Sequence, residues 1–204
     1  MLGARTEGDH VNAMRVAAAV LTGLLVACTG SYETFRPPPL DFSGSAPLRL
    51  AVERVTVQSA YRPQDDPPFI DNQMPLKPED AIRQLLEHRL VAVGGPGTVQ
   101  AVILDASVKE EPLQTQSGLR GFFTTEPEIR LEGRFQVRVD RLSPAGEVLN
   151  SASSSVVRTR SIPEGAAYAE RQKIGYQLVR ELLDDLDAAL TANIRANFGE
   201  ILRG

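Results

Sequence analysis

The side chains able to do chemistry in this 204-residue chain are few and scattered. There is one cysteine, Cys28, and there are two histidines, His10 and His88. An acid–base pair needs two carboxylates aimed at one substrate. Glu110-Glu111 and Asp65-Asp66 are adjacent in sequence, and in an extended chain such neighbours point to opposite faces. Ser153, Ser154 and Ser155 would make a nucleophile only beside a base, and His88 sits among leucines at helical spacing, where it reads as a helix-surface residue. Clustered metal ligands are missing, as is a Gly-x-Ser-x-Gly elbow. Gly94-Gly95-Pro96-Gly97 follows a helical pattern and precedes a strand, whereas a phosphate-cradling loop precedes a helix and ends in Lys-Ser or Lys-Thr. We therefore expect a non-catalytic chain with no cofactor and no metal.

The informative residue is Cys28. An apolar run, Val16 to Ala27, leads straight into it and is interrupted only by Thr22 and Gly23. A membrane-crossing helix needs about twenty apolar residues, so this run is too short to span. It has the length of the hydrophobic region of an export signal. Leu25-Val26-Ala27-Cys28 resembles the lipobox of bacterial lipoproteins: Leu, a small or aliphatic residue, Ala or Gly, then Cys. The resemblance implies that the Cys28 thiol carries a diacylglyceryl group, that residues 1–27 are removed as a signal peptide, and that the new amino group is acylated. It implies a membrane partner through the lipid. One acyl chain binds a membrane only marginally at about 0.8 kcal/mol per buried methylene, and three on one residue make a permanent tether. In that family Asp after the cysteine favours inner-membrane retention. Thr29 here leans toward the periplasmic face of the outer membrane. A buried N-terminal helix with an incidental cysteine is the alternative. Glu7 and Asp9 accompany Arg5 where a signal should begin net positive. Translation from Met14, or from Val11, would give a short signal led by Arg15.

Composition narrows the rest. A hydrophobic content of 42% supports a core, and with no Trp that core should be aliphatic. The net charge of −4 argues against a nucleic-acid binder. Arg5 and Arg15 balance Glu7 and Asp9, so removing the signal leaves that charge unchanged. With Cys28 acylated no thiol remains for a disulfide, and the fold stands on packing alone.

Residues 28–47 read as the lipidated cysteine and a flexible linker, with Arg36-Pro37-Pro38-Pro39 favouring extended geometry. Nineteen residues at about 3 Å each could hold the body tens of ångströms off a membrane. Residues 48–204 read as the periplasmic domain. Leu48 to Gln58 alternates as a strand. Residues 59–76 form a long loop whose prolines exclude a helix or a central strand. Pro78-Glu79-Asp80 suits a helix start, and Ile82, Leu85, Leu86 and Leu90 follow at helical spacing. Thr98 to Glu110 is a partly doubly buried strand, expected to be central. Glu128 to Leu142 holds period two throughout: Ile129, Leu131, Gly133, Phe135, Val137 and Val139 alternate with Arg130, Glu132, Arg134, Gln136, Arg138 and Asp140. Those three arginines read as a solvated, mutually screened face, with anion binding as the alternative. Ser143-Pro144-Ala145-Gly146 is a turn, and Glu147 to Ile162 completes a hairpin.

A last helix opens at Pro163-Glu164 and carries leucines at three- and four-residue steps to Phe198, with Asp184, Asp185 and Asp187 on its outer faces. At about 45 Å it should outrun the sheet and project or pack on a neighbour, unless it bends near Thr191-Ala192-Asn193.

The order strand, helix, strand, strand, strand, helix predicts an α+β fold. We expect a two-layer sandwich, a mostly antiparallel four-stranded sheet packed by two helices. The first connection runs through a helix, so the strands it joins are expected to be parallel. This order is similar to small modules of periplasmic envelope lipoproteins, namely the lipopolysaccharide-assembly lipoprotein partner and the auxiliary lipoproteins of lipid-transport ABC systems, and to the amino-terminal domain of TolB. The resemblance implies an interaction or assembly module of the cell envelope with a protein partner. Its alternative is a lipid-binding accessory of a transport system. The candidate contact residues are Phe122 and Phe123, paired between glycines in the loop from Pro112 to Glu126, and Phe69 in the proline-rich loop. Exposed, they form a hydrophobic prong; folded back, Phe122 and Phe123 cap the core.

Overall fold

The computed structural model describes residues 34–113 and 129–203. Its strands are β1 (Leu48–Leu50), β2 (Arg54–Ser59), β3 (Leu90–Ala92), β4 (Thr98–Pro112), β5 (Ile129–Leu142), β6 (Val148–Ile162) and β7 (Leu202–Arg203). Its helices are α1 (Pro78–Arg89) and α2 (Tyr168–Asn197). The fold is α+β. The main sheet has the order β2-β4-β5-β6, with β2 parallel to β4 and the other pairs antiparallel. The sheet is thus mixed, and its parallel pair flanks the connection that runs through α1.

The alternation in β5 decides which face is covered. Leu131, Phe135, Val137 and Val139 are buried together with Val99, Ala101, Ile103, Ala106 and Val108 of β4. Both helices lie on that face. α1 contributes Ala81, Ile82, Leu85 and Leu86, and α2 contributes Leu178, Val179, Leu182, Leu183, Leu186, Leu190 and Ile194. Gly133 is where α2 comes closest. A Cβ there would collide with Leu182 Cδ1 and crowd Leu178. On the other face Arg130, Arg134 and Arg138 are exposed. Arg138 pairs with Asp140 at 2.9 Å and Arg134 with Glu132 at 3.8 Å, the screening their spacing implied.

The structure departs from the expected strand order in one region. Leu48 to Gln58 is two strands in two sheets, separated where buried Ala51 and Val52 turn the chain. β1 belongs to a second sheet of order β3-β1-β7, parallel to β3 and antiparallel to β7. Gly95 holds this corner together. Its φ is +143°, and a Cβ would strike the Ala51 carbonyl.

The last helix does not break at Thr191 to Asn193, and it buries residues as far as Ile194. α2 runs 30 residues without interruption, about 45 Å. The strands beneath it are 14 and 15 residues long, about 50 Å. The helix lies antiparallel along β6. Arg160 pairs with Glu181, Arg158 Nε reaches Asp185 Oδ2 at 2.5 Å, and Asn193 Nδ2 donates to Ser154 Oγ at 2.9 Å. Asp187 is not on an outer face either. It accepts from Arg89 Nε at 2.5 Å, in a pair whose side chains are 6% and 17% exposed.

Candidate functional site

Cys28, Phe122 and Phe123 lie outside the described residues. Phe69 is described, and its setting shows where the proline-rich loop goes. Phe69 bridges antiparallel to Lys109, with Ile70 N donating to Val108 O at 2.9 Å and Glu110 N to Pro68 O at 2.8 Å. Residues 68–70 therefore occupy the same edge of β4 that β2 occupies further back. The ring is half-buried, and Lys109 Nζ sits over it at 5.1 Å from the centroid, within cation–π range. Three residues beyond Lys109, Pro112 pairs with Ile129 and closes the described stem of the β4–β5 hairpin. The loop that carries Phe122 and Phe123 springs from that stem. Two stretches about fifty residues apart in sequence thus leave from one end of the sheet.

A buried carboxylate holds the proline-rich loop there. Asp71 is 3% exposed. Its Oδ1 accepts from Val108 N at 2.9 Å, and its Oδ2 from the Tyr61 hydroxyl and, at 3.4 Å, from Gln64 N. One side chain ties both halves of the loop to β4. Burial, then the hydrogen bond to Asp71, pushes the Tyr61 phenol well above its ordinary pKa of 10.0. The hydroxyl stays a donor at neutral pH.

The segment expected as a linker is extended but lies against the body from residue 34 onward. The Phe35 ring meets Tyr176 of α2 at 5.8 Å, and the Phe42 ring meets His88 of α1 at 5.7 Å. Leu40 and Phe42 pack on the core, and Ser45 Oγ donates to Asp187 at 2.8 Å. The chain thus enters beside the first turns of α2 and runs toward its far end. Those first turns abut the Phe69 end of the sheet. Arg171 reaches Glu110 at 3.1 Å, and Gly175 faces Met74 and Pro75.

The remaining candidates are accounted for by structural contacts. Ser154 is buried with its Oγ accepting from Asn193, while Ser153 and Ser155 point to the exposed face. Glu110 pairs with Arg171, and Glu111 turns outward as adjacent strand residues must. His88 Nε2 lies 3.3 Å from Ser45 O. The cavity between the sheet and α2, lined by Leu131, Ile162, Tyr168 and Met74 among others, is about 110 Å³. Gln73, Glu110, Arg171 and Gln172 also line it, and its volume is below the roughly 150 Å³ that admits a benzene-sized ligand.

Sequence reasoning missed Arg89. Its signal was its place on the apolar stripe of α1, three and four residues beyond Leu86 and Leu85, where a charge must find a partner. That partner, Asp187, is 98 residues away.

No protein-family model and no curated protein sequence matches this chain. Among solved structures it is similar to a minor lipoprotein from Acinetobacter baumannii, at 11% identity and a TM-score of 0.41, over 69% of this chain and 94% of that one. It is similar also to rare lipoprotein B from Shewanella oneidensis, at 11% identity and a TM-score of 0.36, over 69% of this chain and 92% of that one. A homologue of neuraminyllactose-binding hemagglutinin from Helicobacter pylori aligns at 9% identity and a TM-score of 0.34, over 75% of this chain and 91% of that one.

Proposed function

We propose that this chain is a lipid-anchored lipoprotein of the bacterial envelope that acts as a non-catalytic interaction module on the periplasmic face of the outer membrane. Its anchor is an acylated Cys28. Its contact end is the end of the sheet with Phe69 at the edge and Phe122 and Phe123 in the loop beyond. The reading rests on the Phe69–Lys109 pairing, which gathers the proline-rich loop and the stem of the aromatic loop at one end. The docked segment adds a geometric consequence. With residues 34–47 laid along the body, only residues 29–33 separate Cys28 from it, a reach of about 20 Å. The tether is then shorter than the whole linker would give, and Phe35 enters near the contact end.

The test is co-purification from detergent-solubilised envelopes with the anchor intact. Wild type should retain a stoichiometric protein partner. F122S/F123S should release it while leaving the thermal unfolding of the body unchanged. A partner retained unchanged by that variant removes the loop from the contact. Co-purified lipid in native mass spectrometry, with no protein partner, would favour the lipid-accessory reading instead.

A further inference from the structure

The other end of α2 carries a feature that the contact site does not use. An open cavity of about 770 Å³ lies between β1, β7 and the last turns of α2, with Arg49, Arg89, Arg195 and Arg203 in its wall. That volume is in the range of small-molecule sites. No carboxylate is among the described residues that line it. The small sheet brings two of these arginines face to face. Arg49 and Arg203 are direct cross-strand partners in the antiparallel β1–β7 pair. Like charges placed directly opposite destabilise a strand pair; both side chains are exposed, and Arg203 Nη1 donates to the Glu200 and Leu202 carbonyls at 3.1 and 3.3 Å. Leu48 and Leu50 point the opposite way into the core, so the register that buries them forces Arg49 outward. Arg195 lies one turn beyond Thr191 on α2.

Arg89 stands at the base of the cavity and is locked in place. Nε bonds Asp187 at 2.5 Å and Nη2 bonds Thr191 Oγ1 at 2.7 Å, while Nη1 is buried with no partner among the described residues. A buried guanidinium donor left without a partner is destabilising. A like-charge ladder pair and an unmatched buried donor therefore converge on one concavity whose described wall holds four cations. An oxyanion would relieve the repulsion between Arg49 and Arg203. It would also add negative charge beyond that of Asp187, which is bound to Arg89, and of Glu200 in the neighbouring pocket, which is bound to Arg141. Planar guanidinium forks suit phosphate oxygens in particular.

We propose that this cavity is a binding site for a phosphate group, with Arg49, Arg203 and Arg195 as its direct ligands and Arg89 as a fixed positive base. The site lies about 28 Å along α2 from Tyr176, where the N-terminal segment enters. It does not depend on the proposed anchor or on the contact end. A phosphate group here could belong to a free inorganic or small organic phosphate, or to a lipid headgroup.

The experiment is calorimetric titration of the full chain, in non-ionic detergent, with inorganic pyrophosphate and separately with a soluble short-chain phosphatidylglycerol. At least one should give saturable one-to-one binding. R49Q/R203Q should weaken it by about tenfold or more. R130Q/R134Q removes the same charge from the exposed face of the main sheet and should leave the affinity unchanged. Tighter pyrophosphate binding identifies a free phosphate; tighter phosphatidylglycerol binding identifies a headgroup. Without ligand, R49Q/R203Q should raise Tm by about 1–3 °C by removing the like-charge pair. That readout also shows that the variant folds. Absence of saturable binding by both probes overturns the site, as does equal weakening in the two double variants.

Discussion

Arginines at the two ends of α2 are used differently. Along its first two-thirds they bridge helix and sheet: Arg171 to Glu110, Arg160 to Glu181 and Arg158 to Asp185. Past Asp187 the bridges among the described residues thin to one, Arg141 to Glu200 just beyond the helix. Arg195, Arg49 and Arg203 gather around a cavity with no carboxylate in its described wall. The first set holds the helix in register with β6. The second is a charge surplus that the fold tolerates. The largely buried pair Arg89–Asp187 marks the border between them. The lesson is that arginine content says little about function until each guanidinium is matched to its counter-ion.

That border pair gives the largest expected effect. D187A leaves Arg89 buried without its carboxylate and also removes the acceptor of Ser45. Urea unfolding should show a loss of about 3–5 kcal/mol. D185A removes the partner of Arg158 in a pair that is 44% and 36% exposed, and should shift the urea midpoint far less. Equal shifts would erase the distinction between pivot and stitch. Next comes G133V, which places a branched side chain where Leu182 lies against β5. It should cost about 1–3 kcal/mol and bring forward the loss of helical signal on heating.

The proline-rich loop gives a smaller, pH-dependent effect. The Tyr61 phenol has its folded pKa raised, by burial first and then by its bond to Asp71. A group raised in this way lends stability that is complete below its ordinary 10.0 and is lost as pH rises beyond that value. Y61F should cost about 1 kcal/mol at neutral pH and should flatten the fall in stability above pH 10.0. The smallest effect is on the acid side. The hydrogen bond from Arg158 holds Asp185 below its ordinary 3.8, so its contribution is present above that value and fades as pH falls further. D185N should remove that part of the acid slope, read as the urea midpoint against pH.

Much of this fold was legible in the sequence. β5 alternates from Ile129 to Val139, and α1 and α2 keep helical spacing, because each buries one face of a regular element; the alternation lapses at Asp140, which is buried. The small sheet was not legible. β3 and β7 have three and two residues, too few to show a period. The break at Ala51 to Glu53 showed only as a phase change, the apolar positions moving from Leu48, Leu50 and Val52 to Val55 and Val57. Contacts between residues far apart in sequence fix that corner: Gly95 at positive φ packs against Ala51, Ala51 N donates to Ile201 O, and Glu53 N donates to Gly97 O. For the same reason the arginine cavity could not be read: Arg49, Arg89, Arg195 and Arg203 lie on four different elements. Phe69 stood out by composition, because aromatics are few. Its edge pairing with Lys109 depends on Asp71, whose role appears only once Val108 is beside it.

The proposal that organises the rest is an acylated Cys28, and it has a direct measurement. The protein is expressed in a lipoprotein-processing bacterium, the envelopes are separated from the soluble fraction, and the intact mass and fraction of wild type and Cys28→Ser are compared. The account predicts a mature wild-type chain that begins at Cys28, carries acyl groups and sediments with envelopes, while Cys28→Ser leaves them. A wild-type chain without acyl mass, or a serine variant that sediments equally well, would contradict it.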